Sequence, residues 1–399
     1  MIHSSRIYFD NAATAPLDPR VHEAMRPFLD ETFANPSSLH AEGRAAREAV
    51  EKARCDTATL VGARPEEVVF TSGGTEADNL ALIGVVLNES ASLVHIITSA
   101  IEHPAVRQVC LWFSGRRGAT VSFLEVDSAG IVDPDQVPEL IRPDTRLISI
   151  MTANNVTGAV QPIRELAHIA HQHGVLFHTD AVQAVGKVPI HVEQDEIDLL
   201  SLSAHKLHGP KGIGALIVRQ QVRLSPILHG GGQEAGLRSG TENVPGIVGL
   251  GEAARLMRQF APVETPRLLD LRERIIEGVQ ATVPTAYVIG HRYRRLPGHV
   301  CVGFSGLEGE SIRLMLLLDE AGVAVSTGSA CNAHKASEPS YVLTAMGFDP
   351  FRARGALRVT LGRFNTAEEV EQFLRILPRA VEALSPISRR RVALAGVGE

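Results

Sequence analysis

The chain has 399 residues, of which 44% are hydrophobic, 21% charged and 5% aromatic, and its formal net charge at pH 7 is -6. This length exceeds the size at which a single hydrophobic core stops growing, so two domains are expected. The interspersed charges and the acidic balance argue against a nucleic-acid-binding surface and describe an ordinary globular enzyme.

The first residues, MIHSSRIYFDNAATAP, contain neither a basic-then-apolar signal sequence nor a run of about 18 apolar residues. We therefore expect a cytoplasmic protein that is neither exported nor inserted into a membrane. Four cysteines, at positions 55, 110, 301 and 331, show no CxxC or other ligand-like spacing. Neither a disulfide framework nor a metal site is predicted, and each cysteine has to be interpreted separately.

Short β-rich runs alternate with helix-length amphipathic segments over the first half of the chain. The expected strands are 67–71, 93–98, 119–125, 145–151, 174–180, 197–203 and 212–218, and the expected helices are 75–87, 103–114, 135–142 and 162–173. Apolar strands joined by helical crossovers need both faces covered, so this alternation predicts an α/β domain with a mainly parallel sheet. After about residue 260 the pattern changes to a long helix at 267–283, a few strands and a last helix near 367–384, which predicts a smaller α+β domain.

Binding sites in parallel sheets collect at the carboxyl ends of the strands, and the first such end carries a glycine-rich turn. In VVFTSGGTEADN, the residues Gly73, Gly74 and Thr75 lie between a strand and a helix. Backbone N–H groups and the helix dipole at this point suit an anion such as a phosphate. The stretch matches neither a Walker loop nor GxGxxG, and an ordinary strand–turn–helix connection explains it equally well.

Two later strand ends carry an acid and a lysine. Asp180 and Gln183 follow a buried strand in HTDAVQAVGK, where a carboxylate is costly unless it is paired or caps a helix. Ser203, His205 and Lys206 follow the next strand in SLSAHKLHGPKG. A lysine at this edge either forms a Schiff base with an aldehyde or is an ordinary surface lysine.

A phosphate site, a buried acid and a strand-end lysine, in this chain order, are the three contacts that pyridoxal phosphate requires. With these motifs the sequence resembles the cysteine desulfurases, which belong to the class V aminotransferase group of fold-type I pyridoxal-phosphate enzymes. The resemblance extends from YFDNAATAP at 8–16 to about residue 384. It is carried by TSGGTEADN, HTDAVQ, SAHKLHGPKGIGAL, GGGQEAGLRSGTEN, STGSACNAHKASEPSYVL and LRVTLGRFNT.

The resemblance implies a fold, a reaction and an assembly. A large pyridoxal-phosphate-binding domain at 15–262 would contain a mainly parallel seven-stranded sheet, and a small α+β domain at 1–14 and 263–399 would carry the catalytic-cysteine loop. The enzyme would remove sulfur from L-cysteine, release L-alanine and hold the sulfur as a persulfide for a protein acceptor. The acceptor would be an iron–sulfur scaffold or a thiolation protein, and the enzyme would be a homodimer with its sites at the interface.

The resemblance also implies roles for individual residues around the cofactor ring. Lys206 would hold the cofactor, Asp180 would bond its pyridine nitrogen, and Gln183 would reach its phenolic oxygen. His103 would stack on the ring and help to move protons, although in isolation it reads as a residue at the start of a helix.

The phosphate and the substrate would be bound by a further set of residues. The phosphate would be held by Gly74, Thr75, Ser203 and His205, and Thr241 resembles the residue that reaches the phosphate of the neighbouring subunit. Asn155 would lie beside the cofactor and the substrate, although the Asn-Asn pair also suits a turn. Arg358, in an alternating strand, would bind the substrate carboxylate, with a structural ion pair as the alternative.

Cys331 lies among small and polar residues in STGSACNAHKASEPS, and the resemblance makes it the nucleophile that takes the sulfur. A thiolate that meets the cofactor and then an acceptor suits a swinging loop. The neighbouring His334 and Lys335 depart from the family pattern, and they either lower the pKa of the thiol or are simply solvated. Cys110 and Cys301 fit buried apolar positions, whereas Cys55 lies in a helical segment and looks incidental.

Other functions use parts of the same pattern. A selenocysteine lyase or an aminotransferase would share the cofactor residues, but neither accounts as well for the cysteine on a long loop. A non-catalytic sulfur-carrier scaffold predicts the loss of Lys206 or Asp180, and both residues are present. Iron–sulfur assembly, tRNA thiolation and DNA sulfur modification remain open as destinations of the sulfur.

Overall fold

The computed structural model describes residues 6–89, 93–114, 119–328 and 338–384. The helices are α1 (Pro19–Met25), α2 (Pro27–Asp30), α3 (Ala41–Val61), α4 (Gly74–Asn88), α5 (Pro104–Ser114), α6 (Val137–Leu140), α7 (Ile163–Gln172), α8 (Val244–Thr282), α9 (Ser311–Glu320), α10 (Tyr341–Ala345) and α11 (Ala367–Leu384). Within these ranges, none of the helices is long and apolar enough to span a bilayer.

The strands form three sheets. They are β1 (Ile7–Tyr8), β2 (Val68–Thr71), β3 (Val94–Ser99), β4 (Ala119–Leu124), β5 (Thr145–Ser149), β6 (Leu176–Asp180), β7 (Leu199–Ser203), β8 (Gly214–Val218), β9 (Ala286–Val288), β10 (His299–Phe304), β11 (Val323–Ala324), β12 (Ser326–Thr327) and β13 (Leu357–Thr360). The largest sheet has seven strands in the order β2-β8-β7-β6-β5-β3-β4. Its strands pair in parallel except β8, which is antiparallel to both β2 and β7. The predicted α/β fold with a mainly parallel seven-stranded sheet is confirmed.

Helices cover both faces of this sheet, so its central strands are apolar along their whole length. Successive residues of β3 belong to different cores, because side chains alternate between the two faces of a strand. Ile96 packs with α4 and α5 on one face, and Ile97 packs with α3, α7 and the first half of α8 on the other. This two-sided burial accounts for the near-continuous hydrophobic runs in the sequence.

A second core lies around the smaller sheets. Strands β12-β13-β10-β9 form a four-stranded antiparallel sheet, and β1 pairs in parallel with β11. The N-terminal residues Ile7 and Phe9 belong to this core together with α9, α11 and the second half of α8. The ring of Phe9 meets that of Phe373 edge-on, with centroids 5.7 Å apart.

Helix α8 connects the two cores over 39 residues. The predicted start of this helix at 267 is wrong, because the helix begins at Val244 and continues through Pro262 and Pro266. A proline inside a helix removes one backbone hydrogen bond and normally signals a helix end. Both prolines are exposed here, on the stretch between the two cores, so solvent takes the place of the missing bonds. The predicted domain boundary between 262 and 263 falls inside this helix.

The expected helix at 135–142 is also shorter than predicted. The chain forms a 3-10 turn at Pro134–Gln136 and then the four-residue helix α6. Prolines at 134 and 138 restrict the backbone of this segment, which explains why a longer regular helix does not form.

Candidate active site

Ten of the twelve predicted site residues line one cavity of about 320 Å³ at the carboxyl ends of the parallel strands. They are Gly74, Thr75, His103, Asn155, Asp180, Gln183, Ser203, His205, Lys206 and Arg358. Asp180 ends β6 and Ser203 ends the neighbouring β7, so the parallel pairing brings these two residues to the same edge of the sheet. The topology therefore gathers residues that lie up to 284 positions apart in the sequence.

The turn before α4 forms one end of the cavity. Gly73 has φ +152°, a conformation that favours glycine, and no side chain caps the helix that follows. Gly74 has no room for a side chain, because a Cβ there would lie 2.6 Å from Cγ2 of Val182. The uncapped N-terminus of a 15-residue helix thus borders the cavity, as an anion site requires.

Asp180 and Gln183 are buried side by side, at 4% and 6% exposure. Oδ1 of Asp180 accepts a bond from the backbone N–H of Val182 at 2.9 Å, but turns rather than a helix follow, so the carboxylate caps no helix. Burial raises the pKa of Asp180, while His103, the Val182 N–H and Lys206 act in the opposite direction. Nε2 of Gln183 donates to the carbonyl oxygen of Ala12 at 2.9 Å, and its Oε1 has no hydrogen-bond partner in the part of the chain that is described.

Lys206 lies on a 3-10 turn that directly follows β7. Its Nζ donates to the carbonyl oxygens of Ala12 and Ala13, both at 2.6 Å. The adjacent His205 contacts Thr14 through Nδ1 at 3.1 Å, and burial together with the charge of Lys206 lowers its pKa to about 4. A neutral His205 is therefore the form present at neutral pH.

Arg358 is 1% exposed and reaches the cavity from the second sheet. Its Nη1 donates to the carbonyl oxygen of Asn155 at 2.8 Å, and its Nη2 pairs with Oδ1 of Asp10 at 2.9 Å. Nε is buried and has no acceptor among the described residues. The structural ion pair considered as an alternative therefore exists, and one guanidinium donor is left over.

His103 lies directly before α5 and lines the same cavity as Asp180. Its Nδ1 accepts a hydrogen bond from the backbone N–H of Ala105 at 3.2 Å. Asp78, His103 and Asp180 each place one potential metal-ligating atom within 4.8 Å of the others. The absence of a metal site stays a prediction.

Of the two remaining predicted site residues, Thr241 is in the described part of the chain and does not line this cavity. Thr241 is exposed on a loop before α8. Cys331, with His334 and Lys335, lies outside the described residues. The other cysteines differ from one another: Cys55 is exposed on α3, whereas burial raises the pKa of Cys110 to about 12 and that of Cys301 to about 11.

Several residues that line the cavity or bond to its lining were not identified from the sequence. Ala12 and Ala13 act through backbone carbonyls, which leave no side-chain signal. Asp10 escaped notice because its partner Arg358 is 348 positions away. Asp78 did have a signal, since it is an acid on a helix whose neighbouring positions 77 and 80–82 are all apolar.

The residues present fit pyridoxal phosphate. The helix N-terminus suits its phosphate, Lys206 suits its aldehyde, and Asp180 suits its ring nitrogen. Three donors or acceptors of the cavity support the fit: the unused Gln183 Oε1, the unused Arg358 Nε and the buried Asp180 carboxylate. A polar site of this kind is costly unless a ligand uses these groups.

Comparisons with known proteins identify the family of this chain. The family described as aminotransferase class-V matches residues 7–373. A protein named cysteine desulfurase IscS from Methanosarcina thermophila is 48% identical over 382 residues, which cover 96% of this chain and 93% of that protein. The solved structure of a NifS-like protein superposes with a TM-score of 0.88 at 39% identity, over 95% of this chain and 100% of that one.

A second solved structure, described as SspA in complex with cysteine, has a TM-score of 0.79 at 38% identity and covers 90% of this chain and 100% of that one. These matches extend over nearly the whole sequence and include both cores of the fold. The chain therefore belongs to the class-V aminotransferases, which depend on pyridoxal phosphate, and within that family it is a member of the cysteine desulfurases.

Proposed function

We propose that this protein removes sulfur from L-cysteine, releases L-alanine and passes the sulfur to a protein acceptor through a persulfide on Cys331. The observation that carries the proposal is the single cavity in which Asp180, Lys206 and Arg358 meet. Each of these residues suits a different part of the reaction. Cysteine is also the ligand named for the similar SspA structure.

Pyridoxal phosphate supplies an electron sink for the substrate carbons when it is bound. Lys206 would hold it and would move a proton at the substrate's α-carbon; its amine is positioned by two backbone carbonyls. Asp180 would provide the negative charge that keeps a ring N–H⁺ protonated. His103, which has a ring nitrogen within 4.8 Å of an Asp180 carboxylate oxygen, would help to move protons to and from the substrate.

Arg358 orients the substrate. A guanidinium binds a carboxylate through two parallel N–H donors, and the Nε of Arg358 is one donor that the protein itself does not use. Its bonds to Asp10 and to the carbonyl of Asn155 fix the plane of the guanidinium. Arg358 is paired with Ser326 of β12, which precedes Cys331 by five positions in the sequence.

The sulfur transfer itself needs a thiolate. Sulfur of the bound cysteine is attacked by the thiolate of Cys331, so that an S–S bond forms and the substrate's C–S bond breaks. The electron pair of the broken bond goes to the substrate carbon, which takes up a proton and becomes the methyl group of alanine. We expect the persulfide on Cys331 to be passed then to the protein acceptor.

The assembly and the destination of the sulfur belong to the same proposal. We expect a homodimer in which Thr241 of one protomer serves the phosphate site of its partner. We place the enzyme in the cytoplasm, with a protein of iron–sulfur cluster biogenesis as acceptor. Identification of the protein that co-purifies with it would test this destination against tRNA thiolation and DNA modification.

The test uses the Cys331→Ala variant with L-cysteine as substrate. Wild-type enzyme incubated with L-cysteine without reductant should carry one extra sulfur on the Cys331 peptide in mass spectrometry. The variant should still bind cysteine and change the cofactor's absorption, but it should release almost no alanine or sulfide.

Cys55→Ala is the matched control, because Cys55 is the exposed cysteine of the described chain and lies on α3, away from the cavity. It should behave as wild type. Desulfuration of L-cysteine at the wild-type rate by Cys331→Ala would reject the proposed transfer. Loss of cysteine turnover with continued selenium release from selenocysteine would instead favour a selenocysteine lyase.

A further inference from the structure

Asp78 is a buried acid of the cavity for which the proposed reaction has no use. It lies on α4 with 1% exposure and lines the cavity together with Asp180. Its Oδ1 has no hydrogen-bond partner among the residues that the structure describes. An ionised carboxylate in such a place is costly, because burial removes its hydration without replacing it.

The basic group that contacts Asp78 does not supply a charge. Nε2 of His178 lies 3.7 Å from Oδ1 of Asp78. Its two ring nitrogens contact the hydroxyls of Ser149 at 2.8 Å and Ser201 at 3.0 Å, and burial lowers the pKa of His178 to about 3. His178 is therefore neutral at physiological pH, with one nitrogen donating and the other accepting.

The remaining groups around Asp78 are acids or act on Asp180. Burial and the charge of Asp180 raise the pKa of Asp78 well above its usual range, against a hydrogen bond with Ser201. Burial also raises the pKa of Glu102 to about 8. Interactions with His103, with the Val182 N–H and with Lys206 favour the charged form of Asp180, whereas no basic group among the described residues lowers the pKa of Asp78.

Asp78 and Asp180 are close enough to share one charge. Each places a carboxylate oxygen within 4.8 Å of the other, and the pairing of β6 with β7 puts Asp180 beside Ser201. Two carboxylates at this separation in a buried site do not both ionise, so that one of them retains a proton. The surroundings select which one it is, because Asp180 accepts a hydrogen bond from the Val182 N–H and interacts with Lys206, whereas Oδ1 of Asp78 has no hydrogen-bond partner among the described residues.

We propose that Asp78 and Asp180 form a carboxylic-acid dyad with one proton and one negative charge, in which Asp78 is the neutral acid and Asp180 carries the charge. Asp78 is then a positioning residue that acts through Asp180. With Asp78 neutral, the pair carries a single negative charge, on Asp180, opposite the cofactor's ring nitrogen. The hydrogen-bonded residues Ser149, His178 and Ser201 then remain uncharged. The inference rests on the proposed function only for the identity of the ring that Asp180 faces.

The test observes the proton on Asp78 directly. Infrared spectra of the protein at pH 7, with and without pyridoxal phosphate, should contain the carbonyl band of a buried protonated carboxyl that shifts in D₂O. Protein labelled with ¹³C at the aspartate carboxyl should shift this band and leave that of Glu102 in place. Because this measurement uses the wild-type sequence, it holds even if a variant fails to fold.

Two variants assign the band. Asp78→Asn, which keeps a neutral polar group of the same size, should remove the aspartate band, whereas Glu102→Gln, the matched control, should remove only the glutamate band. Asp78→Asn should also retain pyridoxal phosphate with a dissociation constant within about threefold of wild type, because the charge of the site is unchanged. The spectrum of its bound cofactor should lack the alkaline titration step that ionisation of Asp78 causes in wild type.

The opposite results overturn the dyad. Absence of a protonated aspartate band at pH 7, or its persistence in Asp78→Asn, shows that Asp78 is not the neutral acid. A loss of cofactor binding in Asp78→Asn with an unchanged fold shows that Asp78 carries a charge the site needs. Failure of the desulfurase reaction with the aspartate band present would reject the proposed function and leave the dyad standing.

Discussion

The amine of Lys206 is positioned by backbone carbonyl groups. Its two acceptors, the carbonyls of Ala12 and Ala13, lie four and five residues after the end of β1. The chain returns to this point from the other end of the sequence, because Asp10 and Asn11 are bonded to the β13 segment. The position of the amine therefore depends on contacts between both ends of the described chain.

Replacement of this lysine by alanine should remove the covalent attachment of the cofactor. We expect purified wild type to be yellow and Lys206→Ala to lose its cofactor band on dialysis, because Lys206 is the one lysine among the described residues that line the cavity. Lys211→Ala, which changes an exposed lysine of the same loop, is the control and should stay yellow. A borohydride-reducible bond to cofactor that persists in Lys206→Ala would contradict the assignment.

His208 allows the effect of a buried neutral histidine on stability to be measured. Its Nδ1 donates to the carbonyl oxygen of Pro16 at 2.9 Å and its Nε2 accepts from the backbone N–H of Arg363 at 3.4 Å, which together fix the neutral form. Burial lowers its pKa to about 4. The unfolded chain takes up this proton near pH 6.5 and the folded chain only near pH 4, so the contribution to stability is present above pH 6.5 and falls as the pH decreases toward 4.

The expected result is a stability difference between wild type and His208→Asn that narrows by about 1.4 kcal/mol per pH unit between pH 6.5 and pH 4. Asparagine is chosen because His208 has φ +61°, which asparagine tolerates. Urea unfolding at several pH values gives the difference, and His173→Asn, at an exposed histidine, is the control. A difference that does not vary with pH would show that His208 titrates equally in both states.

At the scale of elements, the sequence predicted what is local and missed what depends on partners. The observed ends of all seven strands in the large sheet differ from the predicted ends by at most two residues, because each strand is an apolar run bounded by turns. The direction of β8 was not predictable, since antiparallel pairing with β2 and β7 leaves no mark on its own residues GALIV. Helix α8 was missed before residue 267 because the prolines signal a break that the exposed backbone tolerates.

The close approach of β8 to the glycine turn gives a prediction at this scale. A Cβ at Gly214 would lie 2.5 Å from the carbonyl oxygen of Leu202 and 2.8 Å from the backbone of Gly73, and backbone atoms cannot move aside as a flexible side chain can. Gly214→Ala should therefore lower the free energy of unfolding by about 1–3 kcal/mol and weaken cofactor binding at the α4 N-terminus.

Gly231→Ala serves as its control, because the added methyl group would meet only the side chain of Gln233. Urea unfolding and a cofactor titration measure the two effects. A Gly214→Ala protein with the same free energy of unfolding as wild type would show that the backbone around Gly214 adjusts to the methyl group without loss of stability. Reduced stability with unchanged cofactor binding would mean that the turn does not hold the phosphate.

At the scale of the whole molecule, the sequence predicted which residues form the site but not the contacts that position them. The motifs identified ten residues that the fold does bring together, and the roles assigned to them stay predictions. The contacts that position them, such as Asp10 with Arg358 and Ala12 with both Gln183 and Lys206, join segments remote in sequence. Asp78 was missed because the charge of a buried acid depends on neighbours that only the folded sheet supplies.

Thr241 is a predicted site residue that does not line the cavity of its own protomer, so it provides a test of the assembly. It is exposed on the loop before α8 and does not line the cavity of its own protomer. If it serves the phosphate site of a second copy, Thr241→Val should weaken pyridoxal-phosphate binding by about tenfold, which corresponds to one lost hydrogen bond to a charged group. Thr285→Val, at another exposed threonine in the small sheet region, should have no effect.

Sedimentation should show that wild type and both variants are dimers, so that the loss of binding reports the missing contact rather than dissociation. Unchanged cofactor binding in a dimeric Thr241→Val protein would show that the neighbouring protomer does not use Thr241 at its phosphate site.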